Sequence, residues 1–415
     1  MTTLAELCVS VNYGYTASAS VDPDTGPKFL RITDIVSDSI DWATVPYCEM
    51  EPEKREKYLL KSGDIVVART GATVGYAKQV WAMPRGATFA SYLVRFRPDT
   101  SRVDAHYLGQ VVQSTAFKRW VKSVASGAAQ PNANARLLGS YELPLLPVTA
   151  QRRVGSVLRA IEKLIEINRR RVAILEDMAR LLYREWFMYF RFPGHEDIDL
   201  VDSELGPIPK GWMITCIKDE VTLKRNNIKP YESLHEAFDH YSIPAFDANR
   251  RPSIDSGIDI RSGKYLLTGQ SILVSKLNPR IPRIWRTDAT TGNRRAVAST
   301  EFLVLTEPVR WSLAFIYGLV SSSEFIGSLA STAGGTSTSH QRVKPADVMA
   351  AEVLDPPMSL VEMYTESVEP MLTLADTLLR QVETLGEARD LLLPRLVSGK
   401  LDIPDLELEL EAVGM

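Results

Sequence analysis

The sequence predicts an α+β fold: two similar α/β globular domains separated by a long antiparallel two-helix coiled coil, with an internal pseudo-two-fold. Three observations predict it. Residues 57–69 align with residues 264–276 at an offset of 207, so the chain holds two copies of one unit. Strand-like, helical and loop segments follow in the same order in both copies. Each copy ends in a heptad-patterned stretch of about 38 residues, which is the pattern of a coiled-coil helix.

Each copy contains the same further elements. Residues 91–97 and 301–305 predict a second strand, and 106–121 and 311–329 each predict a helical stretch. A small-residue loop and a short extended segment ending in prolines follow in both copies. The predicted boundaries are 1–147 for the first globular domain, 148–191 for the central helix, 192–210 for a linker, 211–357 for the second globular domain, 358–401 for the distal helix and 402–415 for an acidic tail.

The two long helices carry an apolar column that recurs every seven residues, and we expect them to pack antiparallel. The seam residues of this column are Val154, Ile161, Asn168, Leu175, Leu182, Met371, Leu378, Leu385 and Leu392. Asn168 has two interpretations, a buried polar residue that fixes the register or a residue at a locally exposed turn. Pro370 predicts either a late start or a kink in the distal helix.

Composition excludes several classes of protein. The 415 residues are 45% hydrophobic and 24% charged, which is ordinary for a globular chain. No apolar run approaches the roughly 20 residues of a membrane span, and the N-terminus lacks the features of a signal peptide. The three cysteines lie far apart, and the five histidines show no metal-binding spacing, so no metal site is predicted.

The net charge of −3 conceals an uneven distribution. Residues 28–147 and 148–191 each carry +5 and residues 211–357 carry +2, whereas the linker, distal helix and tail are acidic. Near-neutrality therefore does not exclude nucleic-acid binding. Because the positive charges are modest, we expect weak DNA binding by this chain alone.

No catalytic set can be assembled from the sequence. Asp355-Pro-Pro-Met358 lacks the aromatic residue that the similar motif of amino-group DNA methyltransferases uses to stack a flipped base. It is interpreted as the corner between a strand and a helix. Gly257–Tyr265 has the wrong glycine spacing for a phosphate loop and is interpreted as a turn before a strand.

Basic and polar loops are the candidate site. Residues 276–295 hold six bases and one acid and are expected to form an irregular basic loop, and residues 69–78 hold the same place in the first copy. Arginine can bind guanine edges, lysine can neutralise phosphates, and small polar loops can approach a backbone closely. The DNA-contact candidates of the first copy are Arg69, Thr70, Lys78, Gln130, Asn132, Asn134 and Arg136. Those of the second copy are Lys276, Asn278, Arg280, Arg283, Trp285, Arg286, Arg294, Ser337, Ser339, His340 and Arg342.

These features resemble the DNA-specificity subunit of type I restriction-modification systems. The resemblance rests on the duplicated loops GDIVVARTGATVG and QSILVSKLNPR, the helix start QRRV at 151–154, and LEDMARLLYREWF at 175–187. The linker SELGPIPKGW at 203–212 and the closing LPRLVSGKL at 393–401 complete it. The first copy departs from the pattern because it lacks the GPIPKGW lead-in and starts directly at Met1.

The resemblance implies two target-recognition domains, each reading one half of a gapped DNA sequence, and helices that set the spacing and dock two methyltransferase subunits. Two restriction motor-nuclease subunits would join that core. It implies a non-catalytic chain that binds no cofactor. S-adenosylmethionine would belong to the methyltransferase, and ATP and Mg to the restriction subunit. A cytoplasmic location in a bacterium or archaeon is expected. Two alternatives remain open: a methyltransferase or nuclease in its own right, and a coiled-coil adaptor that binds no DNA.

Overall fold

The computed structural model describes residues 1–36, 40–125, 131–333 and 341–397. Four predicted contact residues, Gln130, Ser337, Ser339 and His340, lie outside the described residues, as does the predicted tail 402–415. The chain divides into two compact units. One contains Met1–Arg169 and the chain from Arg380 onward, and the other is Arg170–Leu379. Each long helix therefore contributes one part to each unit.

Each globular domain contains a four-stranded antiparallel sheet. In the first domain the strand order is Cys8–Tyr13, Leu93–Pro98, Ile65–Ala68 and Ala77–Gln79. In the second domain the order is Thr222–Lys224, Phe302–Thr306, Gln270–Ser275 and Ile284–Asp288. Order and direction agree strand by strand, so the duplication predicted from the sequence is confirmed.

The remaining strands show how the two copies differ. A two-stranded antiparallel pair occurs in both, Thr2–Thr3 with Glu142–Leu143 and Met213–Cys216 with Glu352–Asp355. The second domain adds a five-stranded sheet, in the order Asn227–Ile228, Lys264–Leu267, Arg295–Ser299, Ala237–Tyr241 and Ser253–Ser256. The first domain has short pairs in this region, Ala19–Ser20 with Tyr47–Cys48 and Phe29–Leu30 with Thr88–Phe89. In the segment that connects the two domains along the chain, Leu200–Val201 pairs with Ile208–Pro209.

Each predicted helical stretch is two helices with a break. The pairs are Ala105–Gln113 with Thr115–Val124, and Leu313–Ser321 with Ser323–Thr332. Ser114 and Ser322 cause the breaks, because each is extended and its hydroxyl accepts a hydrogen bond from a backbone N–H of the following helix. The short helices are Ile32–Ile35, Pro52–Tyr58, Ala135–Gly139, Ile217–Glu220, Ile243–Asn249 and Pro345–Met349.

Within the described ranges, no single helix is long and apolar enough to cross a membrane. The second helix pair would reach that length and composition only by joining its two halves, and those are bent by 61°. Ala314 to Ser321 of its first half are buried in the domain core.

The central helix spans Val148–Tyr183 and ends in a π-helical turn, Arg184–Met188. It therefore stops short of the predicted boundary at residue 191. Phe190, just after this turn, takes a left-handed φ of 58°. The distal helix spans Met358–Val397 and is not interrupted at Pro370.

The helices pack antiparallel within each unit. In the first unit Val154 and Ile161 share one apolar core with Leu385 and Leu392. In the second unit the Tyr364 hydroxyl donates to the Ala179 carbonyl at 3.1 Å. Val172 of the central helix also packs in one cluster with Ala375 and Leu378 of the distal helix. Residues near the end of one helix thus pack against residues near the start of the other. The buried seam residues are Val154, Ile161, Asn168, Leu378, Leu385 and Leu392, whereas Leu175, Leu182 and Met371 are half-buried.

Each domain core lies between its four-stranded sheet and the helices. In the first unit Ile65 and Val94 of the sheet pack in one cluster with Leu108 and with Leu158 of the central helix. In the second unit the corresponding cluster includes sheet residues together with Phe315, Tyr183 and Tyr364. The long helices therefore complete the core of each domain and hold it directly.

A charged cluster anchors the corner where the second domain meets the distal helix. Glu220 and Asp355 are almost fully buried and both form ion pairs with Arg310. The Trp311 indole N–H also donates to Asp355 at 3.3 Å. Asp355 is therefore a structural corner residue, as the sequence indicated.

Asn168 is a buried polar residue of the seam. It is 2% exposed, and its Nδ2 donates to the Oε1 of Gln381 on the distal helix at 3.2 Å. This geometry favours the register-fixing interpretation over the exposed turn, since a buried amide in an apolar seam makes other registers unfavourable.

We expect Asn168→Leu to raise the free energy of unfolding by about 1 kcal/mol, because leucine continues the apolar column. Gln381→Ala should lower it by about 1 kcal/mol in the wild type, since it leaves the Asn168 amide unpaired. In the Asn168→Leu background, Gln381→Ala should have little effect. Urea unfolding of the four chains checks this, and equal effects of Gln381→Ala in both backgrounds would contradict it.

Candidate nucleic-acid interface

In the first domain, the two loops that the sequence singled out meet through their backbones. Arg69 follows directly after the strand Ile65–Ala68, and its carbonyl accepts from the Ala133 N–H at 2.8 Å. Thr70 and Asn132 form an isolated antiparallel bridge. The cation after the strand and the segment after the small-residue loop therefore lie side by side.

The second domain repeats this junction. Lys276 follows the strand Gln270–Ser275, and its carbonyl accepts from the Val343 N–H at 3.0 Å. Leu277 and Arg342 form the equivalent bridge.

One more hydrogen bond matches across the two junctions. The Gly71 N–H donates to Pro131 at 2.9 Å, and the Asn278 N–H donates to Gln341 at 2.8 Å. Two candidate loops that are far apart in sequence are thus one surface in each domain. We call these surfaces the first junction (residues 69–71 with 131–134) and the second junction (residues 276–280 with 341–344).

Arg69 is the central cation of the first junction. Its guanidinium carbon lies 4.8 Å from the centroid of the Tyr13 ring. Its Nε is buried without a hydrogen bond, and no carboxylate within the described part of the chain pairs with it. A cation held this way keeps its outer N–H groups available for an acceptor.

Lys276 is the central cation of the second junction. Burial lowers the pKa of its ammonium, and the neighbouring charges of Arg225 and Arg342 lower it further, whereas Glu301 raises it. Glu301 also pairs with the exposed Arg342 through two contacts of 3.1 Å. Three like charges around one carboxylate give this junction an unbalanced positive charge.

Asn278 and Arg280 form a turn beside Lys276. Asn278 has a left-handed φ of 49°, and its carbonyl accepts from the Ile281 N–H at 2.9 Å. The Arg280 side chain is exposed and pairs with no other side chain that the structure describes. Among the predicted bases of 276–295, Arg280 is the one presented outward by a tight turn.

The stretch 276–295 is not irregular throughout, contrary to the expectation from its prolines and glycine. Ile284–Asp288 is a strand of the four-stranded sheet, and both faces of the sheet are covered there, since Ile284 and Trp285 are buried in two different apolar clusters. Trp285 is therefore 4% exposed and packs on Tyr241, with ring centroids 4.7 Å apart. Arg283 pairs with Asp247 through contacts of 2.6 and 2.8 Å.

Two further arginines of this stretch also form ion pairs within the chain. Arg286 reaches Glu369 at 3.1 Å and Asp376 at 3.3 Å, both on the distal helix. Arg294 pairs with Asp239 at 2.7 Å. Their charges are compensated by neighbouring carboxylates.

The other candidates of the first domain differ in their surroundings. Lys78 is half-buried in the strand Ala77–Gln79. Asn134 caps the helix Ala135–Gly139, because its Oδ1 accepts from the Leu137 N–H at 2.8 Å. Thr70 is half-buried, whereas Asn132 and Arg136 are exposed.

Sequence reasoning missed Tyr13 and Arg225. Tyr13 ends the edge strand Cys8–Tyr13, and Arg225 directly follows the equivalent strand Thr222–Lys224. Each lies beside the central cation of its junction. The two edge strands carry different residues, so aligning the copies gives no signal at this position.

The described ranges contain no cluster of three or more histidine, cysteine or acidic side chains able to hold a metal ion. The interface consists of cations, amides and backbone groups, which suits binding to phosphates and base edges.

Comparisons with known proteins agree with this chemistry. Residues 3–177 match the family model described as the type I restriction modification DNA specificity domain. The type I restriction enzyme MjaIX specificity subunit of Methanocaldococcus jannaschii is 22% identical over 320 residues, 73% of this chain and 71% of that protein. The MjaVIII specificity subunit of the same organism is 27% identical over 151 residues, 35% of this chain and 36% of the relative.

The chain is also similar in fold to a solved structure. The S subunit of a type I restriction-modification system from M. genitalium aligns over 95% of both chains, with a TM-score of 0.54 and 11% sequence identity. This likeness covers both domains and both long helices, so the predicted fold class is confirmed.

Proposed function

Because residues 3–177 match the type I restriction modification DNA specificity domain, we propose that this chain is a DNA-specificity subunit of such a system and that each globular domain reads one half of a bipartite, gapped DNA target. The observation that carries this proposal is the duplicated junction, in which matched hydrogen bonds hold a cation after a sheet strand beside a polar segment. The two junctions differ in sequence: the central cation is Arg69, beside Tyr13, in the first and Lys276, beside Arg225, in the second. The two half-sites should therefore differ, and the target should be asymmetric.

We further propose that the long helices dock methyltransferase subunits, one on each unit. In the second unit Ile174, Met178 and Leu181 are between 45% and 49% exposed, and their i, i+4, i+7 spacing places them on one side of the central helix. In the first unit Leu164 and Ile167 are each 42% exposed on the same helix. Exposed apolar residues in such a stripe are typical of a helix that packs on a partner.

In this proposal the chain itself is not catalytic. S-adenosylmethionine is bound by the methyltransferase subunits, and ATP and Mg by two restriction motor-nuclease subunits. The assembly acts on DNA in the cytoplasm. The support for a non-catalytic chain is that the relatives it matches are named specificity subunits.

Methylome sequencing of a host expressing this chain with its cognate methyltransferase tests the proposal. The expected result is methylation at an asymmetric sequence with two specified halves and a fixed gap. Methylation at unrelated sites, or none, would contradict it. An adaptor that binds no DNA predicts no salt-dependent DNA affinity of the assembled complex, and an enzyme in its own right predicts methyl transfer by the purified chain alone.

The docking stripe can be tested by substitution. Ile174→Glu combined with Met178→Glu should abolish co-purification of the methyltransferase on the second unit, because two charges would have to be desolvated in the interface. Ala173→Glu is the matched control, since Ala173 is exposed on the same helix but lies outside the stripe. We expect the methyltransferase-to-chain ratio, measured by native mass spectrometry, to fall only in the double variant. An equal fall in the control, or no fall in the double variant, would be evidence against this face.

A further inference from the structure

We propose that Tyr13 is a positioning residue for DNA reading by the first domain: its ring holds the Arg69 guanidinium in place and leaves the outer N–H groups directed at DNA. The inference rests on the proposed function, since it presumes that Arg69 contacts DNA. The sequence pattern did not indicate Tyr13, and its ring gives the first domain a different way of holding its central cation from the second.

Arg69 is fixed at its backbone and held at its side chain by a ring. Its N–H donates to the Tyr92 carbonyl at 3.1 Å, and its carbonyl accepts from Ala133 at 2.8 Å. The guanidinium lies 4.8 Å from the Tyr13 ring centroid. With the backbone fixed at both ends, the ring decides where the charged group points.

An aromatic ring can position the Arg69 guanidinium and leave its N–H donors available, which a carboxylate cannot do. The carboxylate of Glu301 pairs with Arg342 and occupies two of its N–H donors at 3.1 Å. An aromatic ring attracts the cation through its π face and takes no N–H donor when the guanidinium stacks on it. It also brings no negative charge close to the phosphates. Arg69 therefore keeps the paired donors that bidentate reading of guanine requires.

Tyr13 is itself held firmly. Its hydroxyl accepts from the Ala135 N–H at 2.8 Å, at the start of the short helix that follows the small-residue loop. The next residue, Gly14, donates its N–H to Leu93 at 3.2 Å, and a Cβ there would lie 2.2 Å from the Ala90 carbonyl oxygen. Tyr13 thus joins the edge strand, the central cation and the short helix of the first junction.

The second domain uses a different arrangement at the same place. Arg225 follows the edge strand Thr222–Lys224 at the place that corresponds to Tyr13. Burial lowers the pKa of Lys276, and the nearby charge of Arg225 lowers it further. A lysine beside a second cation suits phosphate neutralisation, whereas an arginine on a ring suits base reading. We therefore expect Tyr13 to govern discrimination between bases, and Arg225 to govern affinity and its salt dependence.

The test uses the full chain assembled with its methyltransferase subunits and DNA duplexes carrying the methylome-defined target with single-base changes in each half. Tyr13→Leu should lower affinity about 3- to 10-fold for the correct target, as loss of a cation–π contact implies. It should reduce discrimination at the same base positions as Arg69→Ala, and only in that half-site. In an Arg69→Ala background, Tyr13→Leu should have no further effect. Tyr13→Phe, which keeps the ring, should recover most of the discrimination.

Val9→Ala is the matched control, because Val9 is an exposed residue of the same strand. Tyr13→Arg, which copies the second domain, gives an independent variant and should weaken discrimination more than Tyr13→Leu. Additive effects of Tyr13→Leu and Arg69→Ala, or unchanged discrimination in Tyr13→Leu when Arg69→Ala alters it, would overturn the inference. No effect of Arg69→Ala on either half-site would instead show that the proposed reading by the first junction is wrong.

Discussion

Arg69→Ala is expected to weaken binding to one half of the target and leave the other half unchanged. A base contact by arginine contributes about 1–3 kcal/mol, so the affinity should fall about 5- to 150-fold, and the base preference should relax at the contacted position. The side chain forms no ion pair within the described part of the chain, so its loss removes no fold-stabilising salt bridge. Competition binding with duplexes altered in each half-site measures this effect.

Arg280→Ala is expected to give the mirror result, a loss confined to the half-site of the second domain. Arg280 is exposed on a turn of the second junction. Arg283→Ala is the matched control three residues away, because Arg283 is 11% exposed and engaged with Asp247. It should lower the unfolding midpoint more than it changes base preference.

If Arg69→Ala weakened every DNA sequence equally, the contact would be to phosphate, and the salt slope should then fall by about one.

Most of the fold could be predicted from two sequence patterns, the internal repeat and the heptads of the long helices. Copies related by an offset of 207 predict the same sheet twice, and that sheet is observed with identical strand order. The seam spacing also predicted which helix faces meet, since Val154 and Leu392 lie in one core. Periodicity is visible in sequence because burial repeats with the geometry of the element.

The roles of individual arginines could not be predicted from a repeating pattern in the sequence. Arg283 and Arg286 are neutralised by Asp247 and Glu369, which lie 36 and 83 residues away in sequence. A basic run in sequence therefore counts charges whose partners come from other strands and from the distal helix. Tyr13 was missed for the same reason, because its partner Arg69 lies far from it in sequence, after another strand of the sheet.

Arg310→Ala is expected to destabilise the second domain by about 3 kcal/mol, the lower end of what loss of one partner from a buried ion pair costs. The effect comes from the carboxylates left behind. Glu220 and Asp355 are 3% and 4% exposed, and both pair with Arg310. Arg310 itself is 41% exposed at its side chain, so water takes over part of its role. Urea unfolding followed by circular dichroism measures the loss.

A second substitution separates charge from packing. Glu220→Gln in the Arg310→Ala background should recover part of the lost stability, because it removes one of the two uncompensated buried charges while keeping the side-chain shape. Lys229→Ala is the surface control, since Lys229 and Glu232 are 59% and 63% exposed and such a pair contributes about 0–1 kcal/mol. If the Glu220→Gln double variant were no more stable than Arg310→Ala alone, buried charge would not be the cause. The Asp355 corner would then be held mainly by the Trp311 hydrogen bond and the packing around it.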